Sequence, residues 1–207
     1  MVHYDQDHWE RLWSRTVEEH ANILARRPPN AHFLSTVADL PPGRALDAGC
    51  GHGAETIWLA AHGWKVTAVD FSATALAHAR SVAASLGETI AQRIDWVEGD
   101  LGSWAPAIDR FDLVTCLYVH VAGSVQEMIQ RLASGVAPGG TLLLVGHRPF
   151  DPVTGAPTPA ADQVQISVEA AKAQPDLRHW EFIVAEERQR TVAASGVDAV
   201  IQARRRG

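Results

Sequence analysis

The fold is decided by residues 44–60, RALDAGCGHGAETIWLA. The run 44–49 has the composition of a short strand, and the apolar residues of 55–62 recur at helical spacing. The glycines between them allow the backbone to turn tightly and to come close to a ligand, since they carry no Cβ. Strand, glycine turn and helix in this order predict the first unit of a parallel α/β sheet. Its ligand is expected at the carboxyl end of the strand.

The same alternation continues to residue 147. The run 111–119, FDLVTCLYV, is apolar almost throughout, as expected for a strand that is covered on both faces. Ser72 precedes a helical pattern and is predicted to be its N-cap. The sequence therefore predicts a doubly wound α/β fold with five parallel strands. Beyond the first unit, strands are predicted at 65–71, 94–100, 111–119 and 141–147, and helices at 73–87 and 125–136, the latter ending before Pro138-Gly139-Gly140.

The two ends of the chain fall outside this alternation. Residues 1–39 are predicted to form a helical cap, interrupted at Arg26-Arg27-Pro28-Pro29. A proline-rich stretch, 148–160, is predicted to be an irregular loop over the carboxyl edge of the sheet. A helix at 161–174 and two strands at 179–190 and 197–205, joined by the short linker 191–196, would close the fold as an antiparallel hairpin. We expect one domain, 1–207, made of a cap (1–39), a core (40–147), a loop (148–160) and a C-terminal helix and hairpin (161–207).

Composition excludes several classes of protein. The 207 residues include 18 Lys+Arg against 24 Asp+Glu, a net charge of −6, which disfavours binding to nucleic acid or to anionic lipid. An apolar run of about 18 residues is missing, so no membrane span is expected, and the start lacks the apolar core of a signal peptide. Two cysteines are too few for a disulfide framework, and the histidines and cysteines lack metal-ligand spacing. We expect a cytoplasmic enzyme without a metal.

Acidic residues end the first three predicted strands: Asp47, Asp70 and Asp100. Gly49, Gly51 and Ala54 satisfy a loose G-x-G-x-x-G/A, and Asp70 follows Gly49 by 21 residues, so an NAD(P)-dependent oxidoreductase is one interpretation. Asp47, however, precedes the first glycine by two residues, where a carboxylate would repel a pyrophosphate. The same carboxylate would suit an ammonium or sulfonium group. The acids therefore favour a positively charged adenosyl ligand over a dinucleotide.

The chain resembles the class I S-adenosylmethionine-dependent methyltransferases. The stretches that carry the resemblance follow one another in the family's order: LDAGCGHGAETIWLA (46–60), VTAVDFS (66–72), VEGDL (97–101), FDLVTCLYV (111–119) and APGGTLLLVGH (137–147). Trp9-Glu10-Arg11 is similar to the small bacterial tellurite-resistance/thiopurine-type subgroup. The resemblance implies a Rossmann-like sheet and S-adenosyl-L-methionine as cofactor, with S-adenosyl-L-homocysteine as product.

The resemblance also implies a set of cofactor contacts. On the methionyl side, three glycines would line the ligand and one acid would lie near its amino group: Gly49, Gly51, Gly53 and Asp47. On the adenosyl side, Asp70 would bind both ribose hydroxyls, while the adenine would be contacted by Phe71, Asp100 and the backbone N–H of Leu101. The main chain of Cys116 would lie near the sulfonium. Trp9 and Trp13 would close over the cofactor, or would instead be core residues that dock the first helix.

The acceptor is expected to be a small molecule with an oxygen, nitrogen or sulfur nucleophile. Methyltransferases that act on amino groups of bases usually carry [D/N]-P-P-[Y/F] after the fourth strand, where this chain has Cys116-Leu117-Tyr118-Val119. Transfer is an in-line displacement, for which positioning supplies most of the catalysis. His120 and His147, which follow or end predicted strands, are the candidate bases. A non-catalytic adenosyl-binding protein would share the cofactor residues and lack a usable acceptor pocket.

Overall fold

The computed structural model describes residues 6–148, 150, 155–157, 166–173, 179–189 and 197–207. The chain divides into two compact units, Met1–Trp104 and Ala105–Gly207. Among the described residues, no helix combines the length and the apolarity that crossing a membrane requires. The expectation of one domain over 1–207 stays a prediction.

In the first unit, three strands alternate with helices. The strands pair in parallel in the spatial order β3-β2-β1, with Arg44 opposite Lys65 and Val66 opposite Ile94. The pairing places the carboxyl ends of the three strands at one edge. The elements are α1 (Gln6–Leu24), α2 (Ala31–Val37), β1 (Arg44–Ala48), α3 (Ala54–Ala61), β2 (Lys65–Asp70), α4 (Ala73–Ser85), α5 (Glu88–Ala91) and β3 (Ile94–Glu98).

Local chemistry sets the helix starts in this unit. The Asn30 side chain accepts hydrogen bonds from the N–H groups of His32 and Phe33, so α2 begins immediately after the proline pair that breaks the cap. The predicted N-cap Ser72 is confirmed, because its hydroxyl accepts the Ala75 N–H at 3.1 Å. Helix α1 is joined to the start of α4 by the Glu10 carboxylate, which accepts hydrogen bonds from the N–H and the hydroxyl of Thr74.

The second unit contains β4 (Phe111–Leu117), α6 (Val125–Ser134), β5 (Val136–His147), α7 (Val168–Lys172), β6 (Trp180–Gln189) and β7 (Val197–Arg205). Its spatial strand order is β4-β5-β7-β6. Strands β4 and β5 are parallel, whereas β7 is antiparallel to both β5 and β6. Each unit thus has the strand pairing predicted from the sequence, including the terminal antiparallel strands.

Two boundaries in the second unit differ from prediction. Strand β5 begins at Val136, so Pro138-Gly139-Gly140 lies inside it, and the pairing with β4 shifts register between Phe111 and Leu113. The irregularity accommodates a proline that cannot donate to a ladder. Within the described residues, α7 begins only at Val168, because Ser167 caps it by accepting the Ala170 N–H. The linker 191–196 and most of the loop 148–160 lie outside the described residues.

Candidate active site

The glycine loop, residues 49–53, joins β1 to α3 in the first unit. Gly49, Gly51 and Gly53 have φ values of 79°, 49° and 81°, in the left-handed region that favours glycine. The N–H groups of Gly49 and Cys50 both donate to the Val69 carbonyl, at 2.7 and 3.0 Å, which holds the start of the loop against β2. The loop therefore presents bare backbone at the carboxyl end of β1, as a ligand that approaches closely requires.

Asp70 ends β2 beside this loop. One carboxylate oxygen accepts the Gly51 N–H at 2.8 Å and the other accepts the Ser72 N–H at 2.9 Å. The residue is only 7% exposed, and burial raises the pKa of Asp70 while the two N–H groups oppose that shift. A carboxylate has about four lone-pair sites, so both oxygens keep capacity to accept from ligand hydroxyls.

Asp47 is held inside the unit. It is 2% exposed, and its carboxylate accepts the hydroxyl of Thr56, on α3, at 2.5 Å. This bond ties β1 to the helix that follows the glycine loop. Asp47 thus lies near the end of β1, two residues before the first glycine of the loop, and its proposed role beside an ammonium group stays a prediction.

The residues predicted to contact the adenine lie after β2 and β3. Asp100 is exposed, and its side chain accepts the Gly102 N–H at 2.8 Å, which forms a tight turn beyond β3. Leu101 is 3% exposed. Phe71 is half-buried, and its carbonyl accepts a hydrogen bond from the Gln6 side chain of α1 at 3.1 Å. Helix α1 therefore contacts the segment that follows Asp70.

Trp13 lies directly on the glycine loop. A Cβ built on Gly51 would be 2.8 Å from Cζ2 of Trp13, so the indole ring fills the space that a side chain would need. The same ring is 6.0 Å, centroid to centroid, from the ring of His52. Trp9, one turn earlier on α1, is half-buried and contacts His8 edge to face. Whether Trp13 covers a cofactor or docks the first helix as a core residue stays a prediction.

Three further polar side chains lie in the loop or next to it, and none of them was given a role from the sequence: Cys50, His52 and Glu55. Burial, with smaller contributions from Arg27 and His78, lowers the pKa of His52 to about 4. Burial also raises the pKa of Glu55, whose side chain accepts the Asn30 N–H at 2.7 Å. Burial and the nearby Asp47 and Asp70 raise the pKa of Cys50 well above its ordinary range. At neutral pH the loop therefore contains an uncharged imidazole and a protonated thiol.

In the second unit, the candidate base His147 lies near a buried acid. Asp198, at the start of β7, is 0% exposed; one carboxylate oxygen accepts the Tyr118 hydroxyl at 2.7 Å, and the other is 3.5 Å from Nδ1 of His147. The rings of Tyr118 and His147 stack with centroids 4.2 Å apart, and the ring of His120 lies 6.2 Å from that of His147. The pattern of the sequence did not connect Asp198 with these residues, because it is 51 positions beyond His147.

The remaining predicted site residue, Cys116, is fully buried in β4 as a free thiol. A role through its main chain stays a prediction. No cluster of metal-binding side chains occurs within the described ranges of the chain.

Comparison with known proteins finds a family that part of the chain resembles. Residues 45–140 match the family model described as a methyltransferase domain. Just under half of this chain is therefore similar to that methyltransferase family. Ribosomal RNA small subunit methyltransferase C of Alcanivorax borkumensis is 34% identical over 113 residues, which are 52% of this chain and 33% of that relative. The chain spans half or less of the length of the first curated relatives that it matches.

Solved structures show the same methyltransferase fold. TehB from Haemophilus influenzae superposes with a TM-score of 0.69 at 18% identity, over 86% of this chain and 63% of that one. N-methyltransferase NodS from Bradyrhizobium japonicum WM9, in complex with S-adenosyl-L-homocysteine, gives 0.62 at 18% identity, over 91% and 86%. The fold and the resemblance to class I methyltransferases are therefore confirmed. Placement in the tellurite-resistance/thiopurine-type subgroup stays a prediction.

The residues of the methyltransferase domain fit an S-adenosylmethionine molecule. The glycine loop would receive the methionyl part against backbone that carries no side chain at Gly49, Gly51 and Gly53, and the Asp70 carboxylate retains acceptor capacity for hydroxyl groups. An NAD pyrophosphate, by contrast, would be repelled by the negative charges of Asp47 and Asp70. The similarity of residues 45–140 to a methyltransferase domain agrees with the charge pattern, which favours a positively charged adenosyl ligand over a dinucleotide.

Proposed function

We propose that this protein transfers the methyl group of S-adenosylmethionine to a small-molecule acceptor. The observation that carries the proposal is Asp70, a buried carboxylate fixed by the Gly51 N–H at the carboxyl end of β2. When bound, the cofactor supplies a sulfonium-activated methyl group that leaves with the acceptor as the carbon–sulfur bond breaks. Catalysis then depends mainly on how the protein holds the reactants, because an activated donor needs little chemical assistance.

The protein's own residues provide binding and exclusion of water. We assign the two ribose hydroxyls to the Asp70 carboxylate and the adenine amino group to the exposed Asp100 carboxylate. Trp13, which rests on Gly51, would cover the methionyl end and keep water from it. Helix α1 is anchored near this point by the bond between Glu10 and Thr74, so the cover is attached to the same unit as the acids.

A small acceptor is favoured over a nucleic acid by charge. The net charge is −6, and a phosphate backbone needs lysine and arginine side chains that are free to neutralise it. The basic run near residue 205 is used within the second unit: Arg204 donates to the Gly139 carbonyl at 3.3 Å, and Arg205 pairs with Asp109. A ribosomal RNA acceptor, as in the relative from Alcanivorax, is the competing outcome of the test below.

We also propose a cytoplasmic location. Cys50 and Cys116 are both buried free thiols, and a reducing compartment keeps cysteines in this state.

Calorimetric titration with S-adenosylmethionine, S-adenosylhomocysteine and NAD tests the cofactor. We expect micromolar-range binding of the two adenosyl ligands and none of NAD. In Asp70→Ala the affinity for both should fall about 100-fold, since hydrogen bonds to a charged group contribute roughly 1.5–3 kcal/mol each. Asp39→Ala, which removes an exposed carboxylate of the same unit, is the matched control and should bind as the unaltered protein does.

Release of S-adenosylhomocysteine in the presence of acceptors tests the reaction. Turnover with small acceptors and none with ribosomal RNA supports the proposal. Turnover with ribosomal RNA alone would replace the proposed acceptor class. Cofactor binding without turnover on either class would favour a non-catalytic adenosyl-binding protein, and binding of NAD alone would contradict the proposal and favour an oxidoreductase.

A further inference from the structure

The ends of three strands in the second unit bring Tyr118, His147 and Asp198 together; we call these residues the Asp198 cluster. We infer that Asp198 is a positioning residue that holds the His147 imidazole with its proton on Nδ1, so that Nε2 acts as the general base for a hydroxyl acceptor. The inference rests on the methyl transfer proposed above. It adds a positioning residue, a choice between two candidate bases, and a substrate class.

The backbone fixes the distance between the acid and the imidazole. His147 and Asp198 are directly opposite each other in the antiparallel pair β5–β7. Nδ1 of His147 is 3.5 Å from the nearer carboxylate oxygen, the outer limit of a hydrogen bond, and such bonds tighten when a site is loaded. A fully buried carboxylate at this distance is an acceptor for a proton on Nδ1, which would leave Nε2 with its lone pair free to accept another.

Tyr118 holds the cluster in place at some cost to its own backbone. Its φ is 57°, in the left-handed region, which a bulky aromatic residue rarely adopts. The residue makes a hydrogen bond to Asp198 and stacks at 4.2 Å on the His147 ring, with an interplanar angle of 22°. Strained backbone of this kind is concentrated at functional sites, where surrounding contacts maintain it.

The two histidines differ in their surroundings. Burial, with a further contribution from the charge of His147, lowers the pKa of His120 to about 4. A base with so low a pKa has little driving force for proton abstraction near neutral pH. The carboxylate of Asp198 lies beside Nδ1 of His147, and this geometry makes His147 the base and His120 a neutral neighbour.

Other charged groups on the neighbouring strands form their own pairs. Arg148 pairs with Glu187 at 2.9 Å, and Arg188, opposite Asp198 on β6, pairs with Glu186 at 2.6 Å. Asp198, Tyr118 and His120 are titratable residues that lie next to His147.

A base of this kind selects for the acceptor atom. Thiols have an ordinary pKa of about 8.5 and are partly ionised near neutral pH, whereas a phenol, at about 10, is almost wholly protonated and gains most from a base. In the step proposed, the acceptor oxygen attacks the methyl carbon, the carbon–sulfur bond breaks and its electron pair stays on sulfur. The hydroxyl proton moves to Nε2 of His147 and then to solvent.

The tautomer of His147 is measured by ¹⁵N NMR on histidine-labelled protein, with His147→Gln to assign the signals. We expect the neutral imidazole to carry its proton on Nδ1 in the unaltered protein, and to shift toward the Nε2–H form in Asp198→Asn. A proton on Nε2 in the unaltered protein, or the same tautomer in both proteins, would overturn the inference. This measurement needs neither cofactor nor acceptor, so it is independent of the proposed function.

Methyl transfer is measured with simple phenols and the matching thiophenols as probes. For phenols, Asp198→Asn should lower kcat by about 10²–10⁴, the usual contribution of general-base catalysis, while KM and cofactor affinity change little. The loss should shrink at high pH as the phenol ionises. Asp109→Asn, which removes an exposed carboxylate of the same unit, is the control and should leave kcat unchanged.

Several results would contradict the inference. Turnover of thiophenols alone, or of none of these probes, would overturn the hydroxyl acceptor. An equal loss for phenols at every pH, or a loss of cofactor affinity in Asp198→Asn, would show a merely structural role. Absence of S-adenosylmethionine binding in the unaltered protein would instead contradict the proposed function, with the positioning role of Asp198 decided by the NMR measurement.

Discussion

Asp70 in the first unit and Asp198 in the second are both buried acids at strand ends, yet their hydrogen-bond donors differ. Asp70 accepts from the backbone N–H groups of Gly51 and Ser72, which lie in the turns next to β1 and β2. Asp198 accepts the Tyr118 hydroxyl and lies near the His147 imidazole, both side chains from distant positions in the sequence. One carboxylate is held by main chain and the other by side chains.

The difference separates what binds the cofactor from what is proposed to act on the acceptor. A backbone N–H group remains when a side chain is replaced. The contacts of Asp70 therefore depend on the shape of the glycine loop and on the glycines that allow that shape. Side-chain donors are lost with a single substitution, so the contacts of Asp198 depend on residue identity. We therefore expect the first unit to be most sensitive to changes in backbone, and the second to changes in functional groups.

Among the expected changes in stability, the largest should come from Gly51→Ala. A left-handed backbone costs a non-glycine residue roughly 1–2 kcal/mol, and the new Cβ would lie 2.8 Å from Cζ2 of Trp13. We expect a loss of about 2–4 kcal/mol in the free energy of unfolding and at least about a tenfold loss of S-adenosylmethionine affinity, since a Cβ blocks close approach of a ligand. Urea denaturation and calorimetry measure the two quantities.

Gly139→Ala, in the second unit, is the matched control for that substitution. Its φ is 80°, but no heavy atom lies within 4 Å of the position of a new Cβ. Only the backbone cost of about 1 kcal/mol should appear there, and adding Trp13→Ala to Gly51→Ala should recover the steric part. Equal losses of stability in Gly51→Ala and Gly139→Ala would contradict the idea that the close packing of Trp13 on Gly51 matters.

A smaller effect concerns pH and compares one histidine from each unit. The pKa values of His52 and His120 are both lowered to about 4. An unfolded histidine titrates near 6.5, so between pH 6.5 and 4 the unfolded state binds more protons and stability falls as pH falls. From pH 7 to pH 5, His52→Asn and His120→Asn should each reduce this loss by about 1–2 kcal/mol, as measured by urea denaturation at each pH.

Other titrating groups contribute to the pH dependence of stability, but they do not affect the comparison. The raised pKa values of Asp70 and Glu55 act in the opposite direction, because their folded forms retain protons to higher pH. Differences between variant and unaltered protein cancel these contributions. A pH dependence that neither histidine variant alters would contradict the burial of both imidazoles as neutral groups.

The smallest effect compares two N-caps. Ser72 is fully buried and accepts the Ala75 N–H at 3.1 Å, whereas Ser124 is exposed and accepts the Glu127 N–H at 3.2 Å. Loss of a cap costs roughly 0.5–2 kcal/mol. We expect Ser72→Ala near the upper end, because water cannot replace the lost acceptor, and Ser124→Ala near the lower end.

Denaturation midpoints measure this pair, with Ser85→Ala as the control because its exposed hydroxyl donates to the Val82 carbonyl and caps no helix. The control should change stability by less than about 0.5 kcal/mol. A larger loss at Ser124 than at Ser72 would contradict the idea that burial makes the polar contacts of the first unit the more costly to break.

The contrast between main-chain and side-chain contacts also decides how well each unit could be predicted from the sequence. The glycine loop, Asp70 and the Ser72 cap were found because their partners are close in sequence or lie at the ends of successive strands. Asp198 was missed because the pairing of β5 with β7 places Asp198 opposite His147. No local sequence pattern predicts the register of two strands so far apart in the chain. The start of β5 was misplaced because Pro138 signals a break that a register shift accommodates.

The strand order β4-β5-β7-β6 also bears on how the second unit is assembled during synthesis. Strand β6 is made before β7 but has β7 as its neighbour, so residues 180–189 have no strand to pair with until 197–205 have left the ribosome. The same event delivers Asp198 to His147. Until then β5 has an open edge of the kind that invites intermolecular pairing. Completion of the sheet and completion of the Asp198 cluster are thus one late event in the life of the nascent chain.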